Sequence, residues 1–380
     1  MPAPRLQALH DAGQSLWLDY IDRPMLLNGE LARRIRDDVL TGMTSNPAIF
    51  EKALAQGTAY DAQVADLTGA TSAWQLFEAL ASTDVRAACD LFRAVYDSTE
   101  GVDGYVSLEV SPNVANDAEG TIREARHLWT LVDRPNVMIK VPGTDAGAIA
   151  LRQLIADGIN VNVTLLFAVE AYARVIEAYL SGLEARAAAG APLSPVASVA
   201  SFFVSRVDTE IDKRFDAMVK AGTLGAATAD ALKGKAAVAN AKLAYRLFTH
   251  QFGSARWAAL AARGARVQRP LWASTSTKNP SYRDVIYVEE LVGPQTVNTL
   301  PPATLEAFRD HGETRRTIDT DIPGAERALD AVEAAGISVR QVTEQLLYEG
   351  LASFQKSFDA LLAGLEAKAA VLGRPVAASR

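Results

Sequence analysis

The sequence is poor in the side chains that most often do chemistry unaided. Its 380 residues include one cysteine, Cys89, and four histidines, His10, His127, His250 and His311, which lie far apart along the chain. A lone cysteine excludes an intramolecular disulfide and suits a reducing compartment. Without an HxH or HExxH pair, a metal centre would lack its usual ligands, and the scattered histidines offer no ready base for a serine nucleophile. No metal site is therefore expected. Long hydrophobic runs are missing too: no uncharged apolar stretch reaches the roughly 18 residues of a membrane span. The N-terminal segment lacks the charged-then-apolar layout of a signal peptide. A basic excess is also absent. Lys and Arg total 38 against 45 Asp and Glu, a net charge of -7, which is the wrong sign for holding a phosphate backbone. The expected setting is the cytoplasm, with neither nucleic acid nor membrane as a partner. A homodimer and a monomer both remain open.

What is present is ordinary globular material, 49% hydrophobic and 22% charged. Its length allows two domains or one enlarged barrel. Eight short runs rich in Val, Ile, Thr and aromatics predict strands. They are 15–21 (SLWLDYI), 42–46 (GMTSN), 105–110 (YVSLEV), 136–141 (NVMIKV), 160–166 (NVNVTLL), 197–204 (ASVASFFV), 270–275 (PLWAST) and 296–300 (TVNTL). Helix-length segments alternate with them, at 30–40, 117–131, 144–157 and 169–188. Further helices fit at 74–96, 238–262 and 339–372. Strand alternating with helix implies a parallel sheet. Eight such units without a compositional break predict a single (β/α)8 TIM barrel over 1–380, with extra helices at about 51–98, 205–262 and 339–372. The alternative is an open doubly wound sheet with a helical second domain. It is disfavoured because no GxGxxG or Walker loop follows a strand.

In such a barrel, chemistry belongs at the C-terminal strand ends. Lys140 stands between Ile139 and Val141 in a strand with no other charge. A dry site favours its neutral, nucleophilic amine, which is what a Schiff base with a sugar ketone requires. The alternative is a lysine that reaches solvent or pairs with a carboxylate. Asp19 and Glu109, on two other strands, could supply the proton transfers of aldol chemistry. Asp19 could instead be a helix N-cap or a surface strand end, although the nearby Asp22 suits that role better, and Glu109 could pair with Lys140. Asn46, Asn162 and Thr164 offer uncharged hydrogen bonds to sugar hydroxyls or water, although Asn46 before Pro47 also reads as a turn. Arg206 and Lys278 follow the sixth and seventh strands, where barrels often hold phosphate. Lys278 reads equally as a solvated loop charge. Cys89 reads as a small core residue.

At these residues the sequence resembles the transaldolase family of Schiff-base aldolase-like enzymes, in its longer bacterial type. The matching segments, in the family's order, are WLDYI, TGMTSNP, SLEVSP, IKVPGT, NVNVTLLF and SFFVSR. The C-terminal hundred residues are less distinctive. The resemblance implies a (β/α)8 barrel and no cofactor. It implies reversible transfer of a dihydroxyacetone unit from sedoheptulose 7-phosphate to glyceraldehyde 3-phosphate, in the pentose phosphate pathway, with sugar phosphates as the partners. It implies Lys140 as the Schiff-base lysine, Glu109 acting with a water held by Thr164, and Asp19 on the hydroxyl proton. Asn46 and Asn162 would hold the intermediate, and Ser201 and Arg206 the phosphate. Many members carry arginine where this chain has Lys278. The nearest alternative is a fructose 6-phosphate aldolase-type lyase releasing free dihydroxyacetone; a non-catalytic barrel is the other.

Overall fold

Eight strands buried along nearly their whole length can satisfy their backbones and both faces at once by closing on themselves inside a ring of helices. The computed structural model, which describes residues 3–55, 57–67 and 72–373, has this architecture. The strands are β1 (Gln14–Asp19), β2 (Leu40–Thr44), β3 (Tyr105–Glu109), β4 (Val137–Pro142), β5 (Val161–Leu166), β6 (Ser198–Phe203), β7 (Gln268–Ala273) and β8 (Thr296–Leu300). They form a closed barrel in chain order, with β8 pairing in parallel to β1. All eight expected strands are found, with shifted ends. β2 starts at Leu40 and stops at Thr44, so Asn46 lies beyond it in the following turn. β7 starts at Gln268, two residues before the apolar run.

The helices follow from local signals. Thr144 caps the Asp145–Asp157 helix by accepting from the Gly147 amide, and Asp117 caps Ala118–Val132 through Gly120. Asp22 caps the Arg23–Leu27 helix through Met25, as expected of it. The segment read as one helix at 238–262 is two, Ala236–Gln251 and Ala255–Ala261. The break is at Gly253, and Ser254 starts the second by accepting from the Trp257 amide. Extra helices fill the long gaps, among them Pro47–Ala55, Asp61–Asp66 and Ala73–Ser98 in the first. Within the expected insertion at 51–98, residues 56 and 68–71 lie outside the described residues.

The C-terminal helix Val339–Val371 lies against the Pro47–Ala55 and Ala73–Ser98 helices and against β5. Gly350 permits the approach to β5, since a Cβ there would sit 2.9 Å from Leu165 Cδ2. No helix among the described residues is long and apolar enough to cross a membrane.

Register fixes what meets at the barrel mouth. Glu109 pairs with Lys140, Lys140 with Asn162, Pro142 with Thr164, and Asp19 with Thr44. The opposite end of the barrel is polar as well. There Arg269 pairs with Asp103 at 2.9 Å and donates to Ser15 at 2.6 Å.

Candidate active site

Because side chains alternate along a strand, burying Ile139 and Val141 towards the helices turns Lys140 into the barrel. Its Nζ donates to the Ser45 carbonyl at 3.0 Å and lies 3.4 Å from Glu109 Oε2. The second contact is an ion pair without hydrogen-bond alignment, and Glu109 Oε2 has no hydrogen-bond partner among the described residues. The two side chains are only 6% and 8% exposed, so the pair is nearly dry. Burial pushes the Glu109 carboxyl above the usual glutamate range, and the Lys140 charge opposes that rise. Asp19, at the end of β1, is also pushed up by burial. Lys140, Arg206 and Lys278 act in the other direction.

Thr164 is fully buried in β5, and its hydroxyl has no hydrogen-bond partner among the described residues. Buried polar atoms are nearly always satisfied, so two orphans at one barrel mouth point to a molecule they would hold. The backbone beside Thr164 is unusual. Leu165 has a φ of 61°, and the β5–β6 register shifts between Val163 and Leu166, an irregularity of the kind found beside functional sites.

One cavity of about 190 Å³ gathers Asp19, Asn46, Lys140, Thr164, Ser201, Arg206 and Lys278. Of the other expected residues, Glu109 stands directly behind Lys140. Asn162 is fully buried and already engaged, donating to Ser107 Oγ at 3.0 Å and accepting from Ser201 Oγ at 2.7 Å. Asn46 does make the turn foreseen for it, its side chain accepting from the Ile49 amide at the start of the Pro47–Ala55 helix. A larger cavity, of about 560 Å³, opens at the other end of the barrel beside Arg269 and includes none of these groups.

Arg206 and Lys278 make the mouth basic. The Arg206 guanidinium lies 5.2 Å from the Phe203 ring centroid, and Lys278 Nζ donates to Ser276 Oγ at 2.8 Å. Neither forms an ion pair among the described residues. Burial works against the charge on Arg206, and Asp19 supports it. The loop bearing Lys278 is tied to the helix bearing Arg206, with Ser205 N donating to the Ser274 carbonyl at 3.0 Å. Ser274 itself has a φ of 55°. Arg206 and Lys278, with Lys140, outnumber the one carboxyl that lines this cavity, Asp19, so the cavity suits an anion.

The residues lining this cavity that the sequence did not single out include Thr44, Phe203, Thr299 and Phe354. Phe203 follows Ser201 by two positions and so shares its face, a signal within reach. Phe354 comes from the C-terminal helix, far from any strand, and nothing in its neighbourhood marked it.

Residues 16–365 match the sequence model of the transaldolase/fructose-6-phosphate aldolase family. The chain belongs to this family. It is 51% identical over 359 residues to "Transaldolase" of Thermobifida fusca (strain YX), covering 94% of this chain and 96% of that protein. To "Transaldolase" of Trichodesmium erythraeum (strain IMS101) it is 47% identical over 373 residues, 97% of this chain and 98% of the other. To "Transaldolase" of Mycolicibacterium smegmatis it is 50% identical over 361 residues, 94% and 96% of the two chains. The transaldolase-family match extends through the segment that resembled the family least in sequence, and so includes most of the helix that carries Phe354.

Proposed function

We propose that the protein transfers a dihydroxyacetone unit between sugar phosphates through a Schiff base on Lys140. One observation carries the reading: an interior lysine amine, with a carboxyl 3.4 Å from it, borders a cavity that also gathers a second carboxyl and two cations. Relatives named transaldolase, about half identical over nearly their full lengths, support the transferase rather than the lyase.

The roles follow from position. Glu109 takes the Lys140 proton, and the free amine attacks the ketose carbonyl. Loss of water from the carbinolamine needs a proton delivered to the departing oxygen. Glu109 supplies it through a water held by the Thr164 hydroxyl, using the two orphaned atoms. Asp19 accepts the proton of the substrate hydroxyl as the adjacent carbon–carbon bond breaks, and the iminium nitrogen receives the electron pair. An aldose phosphate leaves, and a three-carbon enamine stays on Lys140. The acceptor aldose reverses these steps, with Asp19 returning its proton. Carboxyls raised by burial are suited to both halves of such a cycle. Arg206, Lys278 and Ser201 hold the phosphate, while Asn46 and Asn162 flank the three-carbon unit.

Sugar phosphates are the partners this chemistry requires, and the cytoplasm is the compartment in keeping with it. Neither nucleic acid nor membrane takes part. Every group named belongs to one chain, so a monomer and a homodimer would serve alike. The test is acceptor dependence. With fructose 6-phosphate as donor, erythrose 4-phosphate should produce sedoheptulose 7-phosphate, with little free dihydroxyacetone when the acceptor is omitted. Equally fast release of dihydroxyacetone without acceptor would replace the transferase with the lyase.

A further inference from the structure

The C-terminal helix takes part in the site as well as in the packing. Its buried face runs through Leu346, Gly350, Phe354, Phe358, Leu361 and Leu365, at helical spacing. Three of these residues meet the barrel mouth in different ways. Gly350 rests on Leu165, next to Thr164. Phe358 packs edge-on against Trp74 and Phe77, with ring centroids 5.4 and 6.3 Å away. Phe354, one turn before Phe358, is 9% exposed and borders the cavity that holds Lys140, Asp19 and Arg206. Among the described residues, the only other aromatic ring bordering that cavity is Phe203. Phe354 has no polar atom to offer a sugar, so its contribution to the cavity is shape and exclusion.

Exclusion has a chemical consequence if the site works as proposed above, on which this inference rests. After the first aldose phosphate leaves, the enamine on Lys140 has two fates. Its nucleophilic carbon forms a carbon–carbon bond with the acceptor aldehyde, whose oxygen takes up a proton from Asp19. Otherwise that carbon takes a proton from water, giving an iminium. Addition of a second water and cleavage of the carbon–nitrogen bond then free dihydroxyacetone and restore the lysine ammonium, and the proton that Asp19 took up in the cleavage step neutralises the hydroxide left behind. Protonation needs only solvent, so the transferase depends on keeping solvent away. We infer that Phe354 is a shielding residue for the covalent intermediate: anchored by Gly350 on one side and Phe358 on the other, it closes the mouth of the cavity and directs the three-carbon unit to an acceptor aldose rather than to water.

The inference is tested by partitioning, a ratio that a purely structural role would leave unchanged. Phe354→Ala and Phe354→Leu are compared with the unmodified protein for two rates from fructose 6-phosphate. One is transfer to erythrose 4-phosphate, and the other is release of dihydroxyacetone without acceptor. Phe354→Ala should raise the release-to-transfer ratio about tenfold, the scale of one apolar contact in a site, and Phe354→Leu should fall between. Borohydride trapping on Lys140 should persist in both variants. If folded Phe354→Ala keeps the original ratio, the shielding role is wrong. If Phe354→Ala does not fold, the ratio in Phe354→Leu decides in the same way. An unmodified protein that fails to transfer at all would instead overturn the proposed function, which separates the two failures.

Discussion

At the scale of single residues, the site is a set of charges whose surroundings are unequal. Lys140 and Glu109 are enclosed together, and Glu109 has an oxygen with no hydrogen-bond partner. Arg206 and Lys278 face the same cavity as Asp19 but form no ion pair with it or with any other of the described residues. Arg206→Ala should therefore raise KM for fructose 6-phosphate by about 10- to 100-fold, the equivalent of roughly 1.5–3 kcal/mol for hydrogen bonds to a charged group. It should change KM for an unphosphorylated donor little. Steady-state kinetics on the two donors checks this, and equal effects on both would remove Arg206 from phosphate binding. Lys278→Arg should lower KM modestly, since a planar fork can grip phosphate at two points where an ammonium offers one charge. Unchanged KM would leave Lys278 as a loop charge hydrogen-bonded to Ser276. Lys140, Asp19 and Glu109 were legible in the sequence because a packed strand does not tolerate a charge without reason, and Arg206 and Lys278 because they follow late strands. Asn162 was legible as a polar strand residue, but its engagement by Ser107 and Ser201 was not, since that depends on which strands become neighbours.

At the scale of elements, the eight strands could be read from their apolar runs, and their errors have physical causes. β7 was placed too late because Gln268 and Arg269 look like loop residues. Their burial depends on Ser198 and Asp103, which belong to distant segments. The helix read across 238–262 hides a break at Gly253 because its apolar pattern continues on both sides. The C-terminal helix was expected. That it contributes a residue to the cavity was not, because no local pattern relates Phe354 to Lys140. Phe358 holds this helix to the Ala73–Ser98 helix. Phe358→Ala should cost about 3–5 kcal/mol, as expected for emptying a buried aromatic site. Denaturant unfolding measures the loss, and a change below about 1 kcal/mol would show that the helix is anchored elsewhere.

At the scale of the whole molecule, one barrel enlarged by helices accounts for a length that could also have meant two domains. Burial raises carboxyls outside the cavity too. Asp208 accepts from the Ala237 amide and from the Tyr287 hydroxyl, and burial pushes it up to about 6. Its contribution to stability has a definite sign. The unfolded carboxyl releases its proton at a lower pH than the folded one, so stability present below about pH 4 is lost as pH rises through about 6. From 3.8 to about 6 this amounts to roughly 3 kcal/mol at 1.36 kcal/mol per pH unit. Asp208→Asn should remove that slope, so its stability relative to the unmodified chain should improve between pH 4 and 6. Melting curves across that range check it, and parallel pH profiles would contradict it.

The central claim is that Lys140 carries the three-carbon unit. The most direct measurement is reduction with borohydride during turnover of fructose 6-phosphate, followed by peptide mass mapping. A reduced three-carbon adduct on the peptide containing Lys140, absent from Lys140→Ala, is the predicted result. An adduct on another lysine, or none while transfer proceeds, would contradict it.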